Sequence, residues 1–170
     1  MSEVLIVNQI LSLNRNKIAG QYAPHKPILL LAIMDLYEAG LIEGPIIRLT
    51  DTLKSAFQEN WQTYVGRSFY FRPKITTPFW HLNSEPFWQL KDMFGNDVNL
   101  QDRVYSEKSL RNGYYAVLDE TLAAMMTNPN WRTALRGLLI ANYLQVQPNN
   151  TSETLLSITL LLPILLSFAS

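Results

Sequence analysis

The segment that most constrains the fold is Pro27-Ile28-Leu29-Leu30-Leu31-Ala32-Ile33-Met34-Asp35-Leu36. Pro27 suits a first helical turn, where a missing N–H breaks no helix bond, and Gly40 suits the position just past a helix end, so the run predicts a helix over 28–39. Ile28, Leu29, Leu30, Leu31, Ile33, Met34 and Leu36 point almost all round such a helix rather than along one stripe. It therefore has no solvent face. Neighbours must cover it on several sides, and it is expected at the centre of the core.

Those neighbours can be read from caps and periodicity. Ser2 suits the N-cap of a first helix whose apolar face is Val4, Leu5, Ile6, Val7, Ile10, Leu11 and Leu13, ending softly in the polar stretch Asn14 to Lys17. After a short strand at Ile46 to Leu49, Thr50 caps a helix in which Leu53, Phe57, Trp61 and Tyr64 recur at helical spacing. Gly66 and Arg67 break that pattern. Ser68 to Phe71, Phe79 to Leu82 and Phe87 to Leu90 read as three short aromatic strands, with Asn83 to Pro86 as the turn between the last two. Helices return at Ser106 to Arg111, Asp119 to Met126 and Pro129 to Tyr143, the last capped by Asn128 and buried along Trp131, Leu135, Leu138 and Leu139. The expected class is mainly α (α+β): a helical domain with a small antiparallel sheet or β-hairpin.

The 170 residues suit one domain, expected over 1–145, followed by a tail over 146–170. From Leu155 to Ala169 that tail is almost wholly apolar, but Pro163 divides it and it falls short of the roughly 20 residues of a membrane-spanning helix. We expect a buried or aberrant end, with a membrane anchor as the lesser reading. The N-terminus has neither a basic n-region nor a small-residue cleavage site, so no signal peptide is expected. The absence of cysteine excludes disulfides, thiolate metal sites and cysteine nucleophiles, and suits a reducing compartment, with the cytoplasm as default.

Function classes narrow by elimination. His25 and His81 are the only histidines, no Gly-rich phosphate loop is followed by Lys, and no Glu-x-x-His or calcium-loop pattern occurs. No catalytic residue, metal site or cofactor is expected. Binding is easier to argue. The 14 basic and 14 acidic side chains cancel, so any affinity for nucleic acid must come from local clustering.

Three clusters are candidates. At Pro24-His25-Lys26-Pro27 a helix start, its free N–H groups and a cation could converge on one anion such as phosphate; alternatively His25 caps the helix and Lys26 lies in solvent. In Gly66 to Leu82, Arg67, Arg72 and Lys74 alternate with aromatics, prolines and threonines, a mixture that can grip a nucleic-acid backbone. Most of the rings there, Phe69, Phe71, Phe79 and Trp80 among them, are expected to pack in the core. Arg72, Pro73 and the loop Thr76 to Pro78 are left for a ligand. His81 is either a structural histidine or a contact to phosphate or base. Lys108 and Arg111, three apart on one helical face, form a third basic spot that a solvated surface also explains.

The runs APHKPILLLAIMDL at Ala23 to Leu36, PFWHL at Pro78 to Leu82 and RTALRGLLIANYL at Arg132 to Leu144 resemble a known family, the sulfur-binding domains of McrA-like type IV HNH endonucleases, which recognise phosphorothioate-modified DNA. The resemblance covers roughly Leu11 to Tyr143. It implies a module that holds DNA backbone around one modified linkage. The loop at Arg72, Pro73, Thr76, Thr77 and Pro78 would then form the sulfur pocket, while Tyr22, His25, Lys26 and His81 engage backbone or base edges, with Arg67, Lys74, Lys108 and Arg111 as further DNA contacts. Sulfur in place of a non-bridging oxygen is larger, softer and less strongly hydrated, so a pocket of proline ring and methyl groups accepts it while penalising the oxygen that loses its water there.

The sequence departs from the family after Tyr143, where no histidine of an HNH nuclease follows. Cleavage is therefore not expected. The expected partner is DNA, chiefly phosphorothioate-modified duplex, in a restriction or defence setting, with no membrane partner. The alternatives are a nuclease fragment or subunit that needs a separately encoded catalytic chain, and an interaction or membrane-associated protein acting through its tail.

Overall fold

A computed structural model describes residues 1–99 and 106–145, so the tail expected over 146–170 lies outside the described residues. The chain order is α1 (Glu3–Leu11), β1 (Lys17–Ile18), β2 (Gln21–Tyr22), α2 (His25–Glu38), β3 (Ile46–Ile47), α3 (Asp51–Tyr64) and α4 (Thr76–His81). A 3-10 turn (Leu82–Ser84), β4 (Trp88–Asp92), α5 (Glu107–Gly113), β5 (Tyr114–Leu118), α6 (Glu120–Thr127), α7 (Pro129–Leu139) and a π turn (Ile140–Leu144) follow. The fold is mainly α, of α+β type.

Helix α2 is the core, as its all-round apolarity requires: Ile28 to Met34 are each fully buried. Helices α3, α4, α6 and α7 pack around it. It closes in a Schellman motif, with Gly40 N–H donating to Tyr37 C=O at 3.1 Å and Leu41 N–H to Leu36 C=O at 2.9 Å. That geometry needs the left-handed backbone of Gly40, at φ 67°. The expected caps also form: Leu53 N–H donates to Thr50 Oγ1 at 3.1 Å, Leu5 N–H to Ser2 Oγ at 3.3 Å, and Asn128 Oδ1 accepts from Asn130 and Trp131.

The larger sheet is antiparallel in the order β3-β5-β4, with Trp88 opposite Leu118 and Leu90 opposite Ala116, all four buried. A second ribbon, β1 with β2, pairs Lys17 with Tyr22 and Ile18 with Gln21. Its connection is Ala19-Gly20, both at positive φ (48° and 84°), the signature of a tight two-residue hairpin turn. This ribbon and the central strand β5 have no counterpart in the sequence reading.

Two of the three expected aromatic strands are corrected. Phe79 to Leu82 is the end of α4 and the turn after it. Phe79, Trp80 and Leu82 are all buried while His81 is exposed, a pattern no period-2 strand can give with one face in water. Pro78, in the first turn of α4, leaves no helix bond unmade. Ser68 to Phe71 is a loop folded on itself, with Phe71 N–H donating to Ser68 Oγ at 3.1 Å and the Arg72 guanidinium donating to the Ser68 carbonyl. The third strand forms one residue later than expected, as β4.

Candidate functional site

The start of α2 carries the most unusual electrostatics. Lys26 Nζ, 9% exposed, ion-pairs with Glu85, 6% exposed, and donates to Ser84 Oγ at 2.9 Å. The expectation of a solvated Lys26 is thus corrected, because the pair belongs to the interior. Glu85 Oε1 also accepts the Asn14 N–H at 3.1 Å, so one carboxylate ties the turn after α1 to the first turn of α2. Burying two charges is costly unless each finds its partner and further hydrogen bonds, and here both conditions are met.

His25 is not a cap either. It is the first residue of α2, and Pro24 at the N-cap makes no side-chain bond. Its Nε2 lies 2.8 Å from the Arg72 carbonyl, which makes Nε2 the protonated nitrogen, and its ring packs 4.8 Å from Trp61 and 5.8 Å from Phe71. Burial, partly opposed by the bond to Arg72, holds the imidazole below its usual pKa. His25 therefore anchors the 66–75 loop to the core as a neutral ring.

Beside this anchor lies a cleft of about 610 Å³ lined by Asn14, Arg15, Asn16, Lys17, Ala23, His25, Lys26, Thr77, Pro78, His81 and Ser84. Three of those residues are cations and none is a carboxylate. Its principal cation is one the sequence reading missed. The Arg15 guanidinium is sandwiched between two rings, 4.9 Å from the centre of Tyr22 and 4.3 Å from that of Tyr143. Among the described residues no carboxylate lies within ion-pair distance of it. Burial lowers its pKa, opposed by electrostatic interaction with Tyr143 and Tyr22, but a guanidinium stays charged at any physiological pH.

The sandwich is built before any ligand arrives. Tyr143 Oη donates to the Ile10 carbonyl at 2.6 Å and accepts the Leu13 N–H at 3.0 Å, which pins that ring to the end of α1. The Asn16 carbonyl accepts the Ala23 N–H at 2.8 Å, closing the base of the β1–β2 ribbon that carries Tyr22. Lys17 Nζ also lies over the Tyr22 ring, 4.8 Å from its centre. Such an arrangement can hold an anion flat against a guanidinium edge with ammonium groups nearby.

The residues expected to bind fall into groups. Tyr22, His25, Lys26 and His81 come together around the cleft or its rim, as do Thr77 and Pro78 from the expected sulfur pocket. His81 is held below its usual pKa by partial burial first and the Lys26 charge second, so it is neutral at pH 7. Arg72, Pro73 and Lys74 are exposed on the adjoining loop but do not line the cleft, and Thr76 is buried. Arg67 is exposed on a second cleft.

Lys108 and Arg111 are not brought to this region. Arg111 pairs with Glu107 and Asp51, each at 2.7 Å, and Asp51 opens α3, whereas Trp61 near the other end of α3 touches His25. Those ends are about 15 Å apart along the helix axis. Lys108 is exposed on α5.

Phe69, expected in the core, is instead 87% exposed; Phe71, Phe79 and Trp80 are buried as expected. Among the described residues no group of three or more His, Cys, Asp or Glu could share a metal ion, and no helix is long and apolar enough to cross a membrane. No protein-family model matches the chain, and no curated protein matches it.

Proposed function

We propose that this protein is a DNA-binding module that grips the backbone in the cleft between the Asn14–Lys17 turn, the start of α2 and α4, without cleaving it, and that it prefers a phosphorothioate linkage. The observation that carries the reading is that Arg15 and Lys17, beside the Glu85-paired Lys26, line one cleft whose lining has no carboxylate, in a chain whose charges sum to zero. A concave, low-dielectric wall focuses that local charge on an anion.

Preference for sulfur is supported by Thr77 and Pro78, which carry a methyl group and a proline ring and line the same cleft as the cations. A phosphate oxygen turned toward that wall loses hydration without gaining a donor, whereas sulfur loses less. The sulfur pocket is thus proposed at Thr77 and Pro78, with Arg72, Pro73 and Thr76 supporting the loop from outside the cleft. The resemblance of Ala23 to Leu36 and Pro78 to Leu82 to sulfur-binding domains points the same way.

The test is binding to two matched duplexes, one with a single phosphorothioate of defined stereochemistry, at stated salt. Tighter binding to the sulfur-bearing duplex is expected, with the ratio reduced by T77S, which removes only the methyl group. Equal affinities refute the sulfur preference, and no binding to either refutes the DNA reading. Added Mg²⁺ or Mn²⁺ is expected to leave the DNA intact; robust cutting overturns the non-catalytic part.

A further inference from the structure

Behind the Arg15 sandwich lies a second cleft, of about 330 Å³, whose lining includes Tyr22, Tyr64, Arg67, Phe69, Tyr70 and Tyr143. Its volume is near the lower bound of small-ligand sites, roughly 300–1,000 Å³. It suits one planar ring system. The rings at its rim are unusually open for a folded protein: Phe69 is 87% exposed, Tyr22 53% and Tyr70 41%.

These rings are displayed on a braced loop. Phe69 and Tyr70 meet edge to face at 5.2 Å. Ser68 is bonded to Phe71 and Arg72, the Arg72 carbonyl is bonded to His25, and Trp61 Nε1 donates to the Gly66 carbonyl at 3.2 Å. Exposed rings on a fixed loop keep their apolar faces in water, an arrangement that favours a stacking partner.

The two clefts adjoin at Arg15. It lines the first, and Tyr22 and Tyr143, whose ring centres lie 4.9 and 4.3 Å from its guanidinium, line the second. An anion on Arg15 therefore lies beside two of the residues that line the aromatic cleft, which makes the base of the same or the next nucleotide the group placed to enter it. Arg67 adds a cation at that rim.

We propose that the aromatic cleft takes an unpaired nucleobase from the strand whose phosphate is held at Arg15, stacked against Phe69 or Tyr70. This rests on the DNA-binding reading. It makes the protein a reader of a locally opened strand rather than of an undisturbed duplex. Base extrusion costs stacking and pairing energy, least at a mismatch, while stacking on protein aromatics returns about fivefold or more in affinity per base.

The experiment uses duplexes of one sequence with a single phosphorothioate. In turn, the nucleotide on each side of the linkage is paired, mismatched or abasic, the last keeping sugar and phosphate but no base. The expected affinity order on one side of the linkage is mismatched, then paired, then abasic, with mismatched and abasic differing by at least about fivefold, the lower end for a base–aromatic stack. In F69A/Y70A that ratio falls toward one; both side chains are exposed, so the variant folds. Equal affinity for mismatched and abasic duplexes on both sides, or an order that survives F69A/Y70A, overturns the inference while leaving backbone binding intact. Failure of the unsubstituted protein to bind any of these duplexes overturns the DNA reading and the inference with it.

Discussion

Replacing Glu85 with Gln removes the countercharge of a lysine that is 9% exposed while nearly preserving shape. The remaining ammonium keeps Ser84 Oγ and an amide oxygen, but its charge is uncompensated. Breaking a buried pair from one side costs about 3–5 kcal/mol. With a urea m-value of about 1.5 kcal/mol/M, a 3 kcal/mol loss moves the unfolding midpoint by roughly 2 M. K26M should cost a similar amount by stranding the carboxylate. The double variant K26M/E85Q strands neither charge, so its loss should fall short of the sum of the singles by about 2–3 kcal/mol, within the range for residues in contact. Urea unfolding followed by tryptophan fluorescence measures all four proteins. If E85Q loses less than about 1 kcal/mol, or if the double variant is additive, the ion pair does not organise the junction between α1 and α2 as argued from its burial.

Two further predictions test the cleft and its anchor. R15A should weaken DNA binding, measured by fluorescence anisotropy, and R15K should not restore it, because a compact ammonium cannot lie flat between Tyr22 and Tyr143; full rescue by lysine removes the sandwich from the argument. His25 has a folded-state pKa below its unfolded one, so at pH above about 6.5 both states are neutral, and as pH falls the unfolded chain takes up the proton first. Stability should therefore fall as the pH drops below about 6.5, and H25Q should flatten that fall. His81 is shifted in the same direction, so an unchanged slope in H25Q assigns the effect elsewhere.

How far the sequence reveals this arrangement depends on the range of the interaction. Helix α2, its Gly40 terminus and the caps at Ser2, Thr50 and Asn128 are decided within a few residues, and each is legible from local pattern. The run Phe79-Trp80-His81-Leu82 is not, since aromatic content favours a strand until burial against α2 selects a helix. Strand β5 is hard to see although Asn112-Gly113 and Asp119 bound it, because Tyr114 to Leu118 has no alternation of polar and apolar residues to mark a strand face. The site was legible only in part. Lys26 draws attention by standing at a helix start, but its partner Glu85 is 59 positions away. Arg15 lay inside what read as a frayed helix end; the signal that could have found it is a cation in a polar run just before Gly20, where the chain must turn back.

Charge cancellation in the whole chain does not mean neutrality at the cleft, because acidic side chains are drawn to other cations. Glu107 holds Lys54 and Arg111, Asp35 holds Arg136, Asp97 holds Lys91, and Glu85 holds Lys26. Arg15 and Lys17 instead lie against the Tyr22 ring. Two phosphates are then the most this cleft can neutralise, since Lys26 is already partnered. With a slope of about −0.9 per phosphate, log affinity should fall against log salt with a slope of about −2. Between 50 and 200 mM salt that is a loss of roughly tenfold, against the thousandfold or more of proteins that make 6–10 phosphate contacts. R15A should make the slope shallower by about 0.9. A slope equal to ten phosphates would mean that the exposed cations of the 66–75 loop and of α5 join the interface, and the single-cleft reading would have to be given up.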